Sequence, residues 1–184
     1  MKLWLRVGMG VLSIQNLYAG AWAIYDPQGW WESFPGFGRA WVSGFGEYSE
    51  HLVRDVGGFF LAFGVLFLLA AIFLEKRFAI ASQVAWLFFA TPHLVYHLGE
   101  QGSLSDADNL LSLEALAFQV ALPILLLVAI SRTDFRTRAE REAQTWDEKT
   151  MMTLREDWVP PPGEPSHVKV DDEDEPGNRQ SAEE

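Results

Sequence analysis

Cysteine is absent from this chain of 184 residues. Its absence excludes disulfide bonds, thiolate metal sites and quinone-linked thiol chemistry. A basic region is missing as well: residues 1–141 carry 12 acidic and 10 basic side chains, and residues 142–184 carry 13 acidic and 4 basic. Because phosphate binding requires clustered Lys and Arg, this composition argues against a nucleic-acid partner.

Common catalytic motifs are also missing from the sequence. It contains no G-x-S-x-G, no P-loop, no Rossmann glycine pattern and no zinc-protease HExxH. Covalent hydrolysis and nucleotide chemistry therefore have no support in the sequence.

Long apolar runs, in contrast, are plentiful. Val56–Leu74, VGGFFLAFGVLFLLAAIFL, has 19 residues without a charge. As a helix it would measure roughly 28 Å, close to the ~30 Å hydrocarbon core of a bilayer. Three other runs have similar length, and a kink is expected in one of them at Pro92. The sequence thus predicts an all-α, integral membrane antiparallel four-helix bundle within residues 1–141, with spans at about 5–25, 54–74, 78–99 and 110–131.

The first predicted span has an alternative interpretation. Lys2 and Arg6, a short apolar run and the sequence AWA at Ala21–Ala23 resemble a cleavable signal peptide. Gln15 and Asn16 interrupt the apolar run, and the segment is long enough to cross a bilayer. These two features favour a retained span, and both interpretations stay open.

Three groups of basic residues flank the predicted spans, and all three fall on the same side. They precede the first span, join the second to the third and follow the fourth, whereas the two other loops are acidic. Because Lys and Arg are enriched in cytoplasmic loops, we predict a multi-pass protein of the bacterial plasma membrane with both termini in the cytoplasm. The basic flanks are Lys2, Arg6, Lys76, Arg77, Arg132, Arg136, Arg138 and Arg141.

Two regions outside the spans have a distinctive composition. The first outer loop, Asp26 to about Glu50, is crowded with Trp and Phe, which prefer the headgroup layer of a membrane. It would lie in the outer interface or form a lid over a cavity. The acidic segment 142–184 is predicted to be a cytoplasmic, mostly disordered tail with a short helix at Thr145–Asp157. An adaptor role for this tail stays open.

Titratable side chains gather at the predicted outer ends of the spans. In the stretch PHLVYHLGE, His93 and His97 are four residues apart and share one helix face, as do His51 and Asp55. Two such pairs across a bundle would make a metal site for Zn, Fe, Mn or Cu, since the ligands are nitrogen and oxygen. Structural capping of the helix ends, and proton or substrate handling, are the alternatives. The supporting residues are Glu50, Arg54, Tyr96, Glu100 and Glu114.

Polar and small residues inside the spans predict contacts between helices. Asn16 and Gln119 lie within apolar segments, where we expect each side chain to hydrogen-bond to a neighbouring helix. Glycines permit close approach of two helix backbones by the same principle. The glycines expected at such contacts are Gly8, Gly10, Gly57, Gly58 and Gly64.

The layout resembles small four-helix membrane proteins of actinobacteria, similar to the DoxX-like families of unknown function. The resemblance covers roughly residues 3–131 and is most specific in EYSEHLVRDVGGFFLAFG, Glu47–Gly64, and in PHLVYH. It implies a four-helix antiparallel bundle in the plasma membrane. Some relatives are associated with quinone-linked oxidation or redox-stress complexes, but no role of a particular residue follows from that.

Three functions are compatible with these features. The first is an accessory or interaction subunit of a membrane complex, bound to a membrane protein partner or to further copies of itself. The second is a metal- or cofactor-binding oxidoreductase subunit that uses the His51, Asp55, His93 and His97 cluster. The third is a small proton-coupled transporter, which is disfavoured because the predicted midplane carries Asn16 and no charged group.

Overall fold

The computed structural model describes residues 2–136 and 138–156, which divide into two compact units after Phe135. The first unit holds five α-helices, a two-stranded antiparallel hairpin and a 3-10 helix. Their bounds are α1 Lys2–Tyr25, α2 Pro27–Ser33, β1 Pro35–Gly36, β2 Arg39–Ala40, the 3-10 helix Ser43–Phe45, α3 Glu50–Phe73, α4 Lys76–Gly99 and α5 Asp106–Ser131. The second unit holds α6, Arg138–Glu156.

Three of these helices, α3, α4 and α5, are long and apolar enough to cross a membrane. The prediction of a helical chain with long apolar helices is therefore confirmed. Within the part of the chain that the structure describes, α1 does not reach the same hydropathy. It has 24 residues, but the carboxamides of Gln15 and Asn16 interrupt its apolar sequence.

The three apolar helices begin before their apolar runs. They start at residues 50, 76 and 106, whereas the runs predicted starts near 54, 78 and 110. The reason is capping: a polar side chain ahead of each helix accepts a hydrogen bond from a backbone N–H of the first turn. These N-caps are Ser49, Glu75 and Ser105. At the other end of α4, the helix continues through Pro92 to Gly99.

Antiparallel helices α1 and α3 pack backbone to backbone. A Cβ atom on Gly20 would lie 2.7 Å from the carbonyl oxygen of Gly57, and one on Gly64 would lie 2.7 Å from Leu17 Cγ. A buried serine takes part in the same contact, where Ser13 Oγ donates to the Gly64 carbonyl at 2.8 Å. Small residues at the contact allow this close approach of the two helix backbones.

The glycine predictions are confirmed only in part. Gly57 and Gly64 lie in the α1–α3 contact, and a Cβ on Gly8 would meet Leu126 of α5 at 2.7 Å. Gly10 and Gly58 instead face open space among the described residues, with nothing within 4 Å of an added Cβ. Helix face decides the difference, because adjacent residues point about 100° apart.

Two arginines close the ends of the α1–α3 pair. Arg6, near the start of α1, donates from Nη1 to the carbonyls of Ala71 and Ile72 at 2.7 and 2.8 Å, where α3 ends. Arg54, near the start of α3, donates from Nη1 to the Ile24 carbonyl at 2.6 Å, where α1 ends. The last carbonyls of a helix have no partner within it, and a cation there also complements the helix dipole. Each helix therefore caps its neighbour.

Aromatic rings fill the space between α3 and α4. Trp86 is buried and contacts Phe63 and Phe67 with ring centroids 5.2 and 5.8 Å apart, while its Nε1 donates to the Gln119 carbonyl of α5 at 3.1 Å. Leu5, Met9, Leu12 and Ile130 complete the buried core. Many other apolar side chains of the four long helices are exposed within this chain.

Helix α6 of the second unit overlaps the short helix predicted at Thr145–Asp157 and is longer at its N-terminal end. Helix α6 begins at Arg138, before the predicted boundary at residue 141, and extends over residues 142–156 of the segment expected to be mostly disordered. Residues 157–184 lie outside the described residues. Trp146, Met151 and Leu154 are exposed on α6.

Adjacent Gly57 and Gly58 provide a test of the α1–α3 contact. Gly57→Ala should lower the free energy of unfolding by about 1–3 kcal/mol, because its methyl would meet Ala23 Cβ at 2.9 Å. Gly58→Ala makes the same chemical change in open space and should be neutral or stabilise by up to about 1 kcal/mol through helix propensity. Thermal unfolding in detergent, followed by circular dichroism, measures both. Equal effects of the two variants would contradict the contact.

Candidate functional site

The loop between α1 and α3 is folded rather than irregular. The Asp26 carboxylate caps α2 by accepting from the Gly29 N–H at 3.0 Å, and Pro27 occupies the first turn. Trp30 is buried next to Val53 of α3. The hairpin and the 3-10 helix then lead into α3. We call this end of the first unit, where α1 and α4 end and α3 and α5 begin, the aromatic-loop end.

Asp108 in the first turn of α5 holds the aromatic loop in place. Its Oδ1 accepts from Arg39 Nη1 and, at 3.2 Å, from Trp41 Nε1, while its Oδ2 accepts from Ser105 Oγ at 2.9 Å. A second connection joins the backbone of this loop to that of the loop between α4 and α5, where the Ser103 N–H donates to the Gly44 carbonyl at 3.0 Å. Two donors of the loop, Arg39 and Trp41, thus bind one carboxylate of α5, and Ser105, the N-cap of α5, holds that carboxylate in place.

The histidines of the PHLVYH motif extend the aromatic packing along one face of α4. His93 stacks on Phe89 with centroids 5.2 Å apart and planes 17° apart, and it meets His97 at 4.8 Å. Phe45 of the aromatic loop lies edge-on to His97 at 4.4 Å. The expectation that His93 and His97 share a helix face is confirmed. The Phe45 ring of the loop covers His97, which agrees with the interpretation of this loop as a lid.

His51 and Asp55 form a separate pair on α3. His51 Nε2 lies 3.3 Å from Asp55 Oδ2, and the two side chains are 90% and 64% exposed. Over residues 2–136 and 138–156, no three side chains of His, Asp or Glu come together in a set that would hold a metal ion. The contacts thus divide the four predicted ligands into two pairs, and a Zn, Fe, Mn or Cu site stays a prediction.

Among the supporting residues, Glu50 and Arg54 form an ion pair on α3, and Arg54 also binds the end of α1. Arg54 Nε donates to Glu50 Oε1 at 2.8 Å while its Nη1 caps α1, which agrees with the structural-capping alternative. Tyr96 contacts the His97 ring at 5.3 Å. Glu100 follows the last turn of α4, and Glu114 lies on α5; both side chains are exposed.

The prediction for the carboxamides inside the spans is wrong in its choice of partners. Asn16 is buried, but its Nδ2 donates to the Leu12 carbonyl of its own helix at 2.9 Å. Gln119 contributes its backbone carbonyl, not its side chain, to the bond from Trp86. Within the described residues, Asn16 Oδ1 and Gln119 Oε1 are buried without a hydrogen-bond partner. Packing places other donors, Ser13 and Trp86, at the helix contacts.

Comparison of this chain with known protein families, with curated proteins and with solved structures finds no match.

The residues that fasten the loop were missed by the sequence-based predictions. Arg39 is the one basic residue between Asp26 and Glu50, and Asp108 belongs to the acidic segment after α4, in the first turn of α5. A lone cation in one acidic loop and carboxylates in the next was the available signal. It did not specify which of the carboxylates would pair with Arg39.

The histidine packing predicts unequal effects of two alanine substitutions. His97→Ala removes ring contacts with His93, Tyr96 and Phe45 and should lower the free energy of unfolding by about 1–2 kcal/mol. His51→Ala is the matched control and should have little effect, since that side chain is 90% exposed. Thermal unfolding in detergent gives both values, and an equal loss in the two variants would contradict this packing.

Asp108 and Asp106 allow a matched test of the loop attachment. Asp108→Asn should accelerate amide hydrogen exchange across residues 39–46 several-fold, because it removes the carboxylate that binds Arg39 and Trp41. Asp106→Asn changes an acid of the same turn that accepts only from Gln101 among the bonds described and should leave that exchange unchanged. Mass spectrometry of deuterated peptides measures the rates. Unaltered exchange in Asp108→Asn would show that the loop is held by other contacts.

Proposed function

We propose that this chain is an integral membrane protein in which α1 joins α3, α4 and α5 as a fourth span. Two observations support this architecture: α1 packs backbone to backbone on α3, and Arg6 and Arg54 close the pair at both ends. The basic flanks support a bacterial plasma membrane location with both termini in the cytoplasm and the aromatic-loop end outside. Membership of the DoxX-like families is part of the same proposal.

Within that architecture we infer an accessory or interaction subunit of a membrane complex, and Glu114 is the observation that carries this role. Glu114 lies 17 residues before the end of α5 at Ser131, roughly 25 Å along the helix. A hydrocarbon core of ~30 Å that begins at Ser131 therefore extends past Glu114. The Glu114 side chain is exposed on the surface of this chain, so in the proposed membrane architecture it would face lipid.

Among residues 2–136 and 138–156, no side chain compensates the charge of Glu114. Neighbouring exposed side chains on α5 are apolar, and no ion pair or hydrogen bond joins Glu114 to another described residue. The exposed apolar residues of this helix are Leu110, Leu111, Phe118, Ile124, Leu125 and Val128. A carboxylate against acyl chains is costly, and ionisable groups at such depth normally face a partner or a cavity.

A second protein that covers this face of α5 would remove the cost. The partner expected is a transmembrane helix with a Lys, an Arg or a neutral hydrogen-bond donor at the depth of Glu114. A twofold contact between two copies through the same face would place Glu114 against Glu114, which is repulsive while both are ionised. Complementarity therefore favours a different membrane protein over a second copy.

The mass of the complex that is extracted from native membranes tests this function. After extraction in mild detergent, the wild-type chain should migrate in a complex much larger than its own 20.8 kDa. Glu114→Gln should release the free chain, whereas Glu100→Gln, an exposed acid beyond the end of α4, should leave the complex intact. Size-exclusion chromatography with light scattering measures the masses.

Two results would contradict different parts of this proposal. A free wild-type chain in native membranes would overturn the interaction role itself. A complex that survives Glu114→Gln unchanged would leave the role standing and show that the face of α5 around Glu114 is not the contact.

A further inference from the structure

The tip of the hairpin presents an aromatic ring in an unfavourable backbone conformation. β1 pairs with β2 in the register Pro35 to Ala40 and Gly36 to Arg39, which leaves Phe37 and Gly38 as the two turn residues. Their φ angles are 59° and 75°. The Phe37 side chain is 96% exposed, more than any other large apolar residue among those described.

Asn, Asp or Gly normally occupy the first position of such a turn, because positive φ crowds a larger side chain. Phe37 therefore gains nothing locally from being there. A residue kept in a rarely populated backbone conformation is a reason to look for a function of its side chain. The feature that distinguishes Phe37 from Asn or Gly at this position is a large apolar ring directed away from the protein.

The base of the hairpin rests against α1. Tyr18 Oη donates to the Pro35 carbonyl at 3.2 Å, and the Tyr18 ring continues to Trp22 at 5.8 Å. Tyr18 lies seven residues before the end of α1 at Tyr25, roughly 10 Å along the helix. The hairpin therefore folds back along α1 instead of projecting beyond its end.

The other strand is held as well, so the tip has a defined position. Arg39, the first residue of β2, binds Asp108 at the start of α5. Tyr18 on one side and Asp108 on the other fix the two strands between them. The exposed ring thus lies beside the last turns of α1, at a level where a span is surrounded by headgroups and upper acyl chains.

We propose that Phe37 is a lipid anchor that inserts its ring into the outer leaflet beside α1. The occupant of this surface is lipid, since the hairpin lies alongside a span and the aromatic rings near it, Tyr18 and Trp22, are of the type enriched in the membrane interface. The anchor would hold the aromatic loop at a constant depth over His97. This inference rests on the proposed crossing of α1 and not on the interaction role of α5.

Because the chain contains no cysteine, single nitroxide labels report depth without background. The full chain is placed in lipid nanodiscs with one copy each, and Phe37→Cys, Glu47→Cys and Leu125→Cys are labelled separately. Power-saturation EPR then compares access of oxygen, which concentrates in lipid, with access of a water-soluble nickel chelate. The ratio of oxygen access to nickel-chelate access should be several-fold higher at residue 37 than at residue 47, and it should approach the ratio at residue 125.

A label that leaves Phe37 in place gives an independent reading. Ala40→Cys lies on the paired strand, and its access to the nickel chelate should rise several-fold when Phe37→Asn is added. Asn tolerates positive φ, so the turn is retained and only the ring is lost.

Equal oxygen-to-nickel ratios at residues 37 and 47, or no change at residue 40 when the ring is removed, would overturn the lipid anchor while residue 125 still reports lipid. If residue 125 also reports water, the membrane architecture fails, and the anchor with it.

Discussion

The contact between α1 and α3 is the constraint on which the rest of the first unit depends. Helix α1 carries Gln15 and Asn16 in its middle, and a carboxamide exposed to lipid is unfavourable. Packing on α3 through Gly20, Gly57 and Gly64 brings the two backbones together, and Asn16 is buried. Helix α1, which is less apolar than α3, is thereby packed closely against it.

The aromatic-loop end is built outward from this pair. Arg54 binds the Ile24 carbonyl at the point where α1 ends, and the loop begins two residues later with the Asp26 cap of α2. From there Asp108 of α5 holds Arg39 and Trp41, and Phe45 meets His97. The loop therefore connects the α1–α3 pair to the ends of α4 and α5, and its Phe45 ring lies against His97, whereas His51 on α3 stays exposed.

Sequence reasoning located the long helices because their physical signal is local. An apolar run of bilayer length is recognisable without any knowledge of its neighbours, whereas the first turns of the helices, which precede the apolar runs, were missed. Contacts between helices are not local. Gly57 and Gly58 are the same residue type, yet one touches α1 and the other faces open space, because the register of two helices decides which is which. Asn16 shows the same limit, since its choice of the Leu12 carbonyl depends on what packing leaves nearby.

The site was predicted as a group of residues and found as separate pairs. His93 and His97 contact each other, as their spacing on one helix requires. Whether His51 and Asp55 face them depends on how α3 is rotated about its axis relative to α4, and the spacing within each helix does not determine that. Arg39 and Asp108 were absent from the prediction because a loop fold of this size follows from many weak contacts.

The central claim is that α1 crosses the membrane together with α3, and its most direct test is to locate the N-terminal end of α1. Leu3→Cys and Glu47→Cys, each in the otherwise cysteine-free chain, are treated with a membrane-impermeant maleimide in intact cells. A fourth span predicts that Leu3→Cys is present in the purified protein and reacts only after permeabilisation, whereas Glu47→Cys reacts in intact cells. Reaction of Leu3→Cys in intact cells, or loss of the segment by cleavage, would contradict the account.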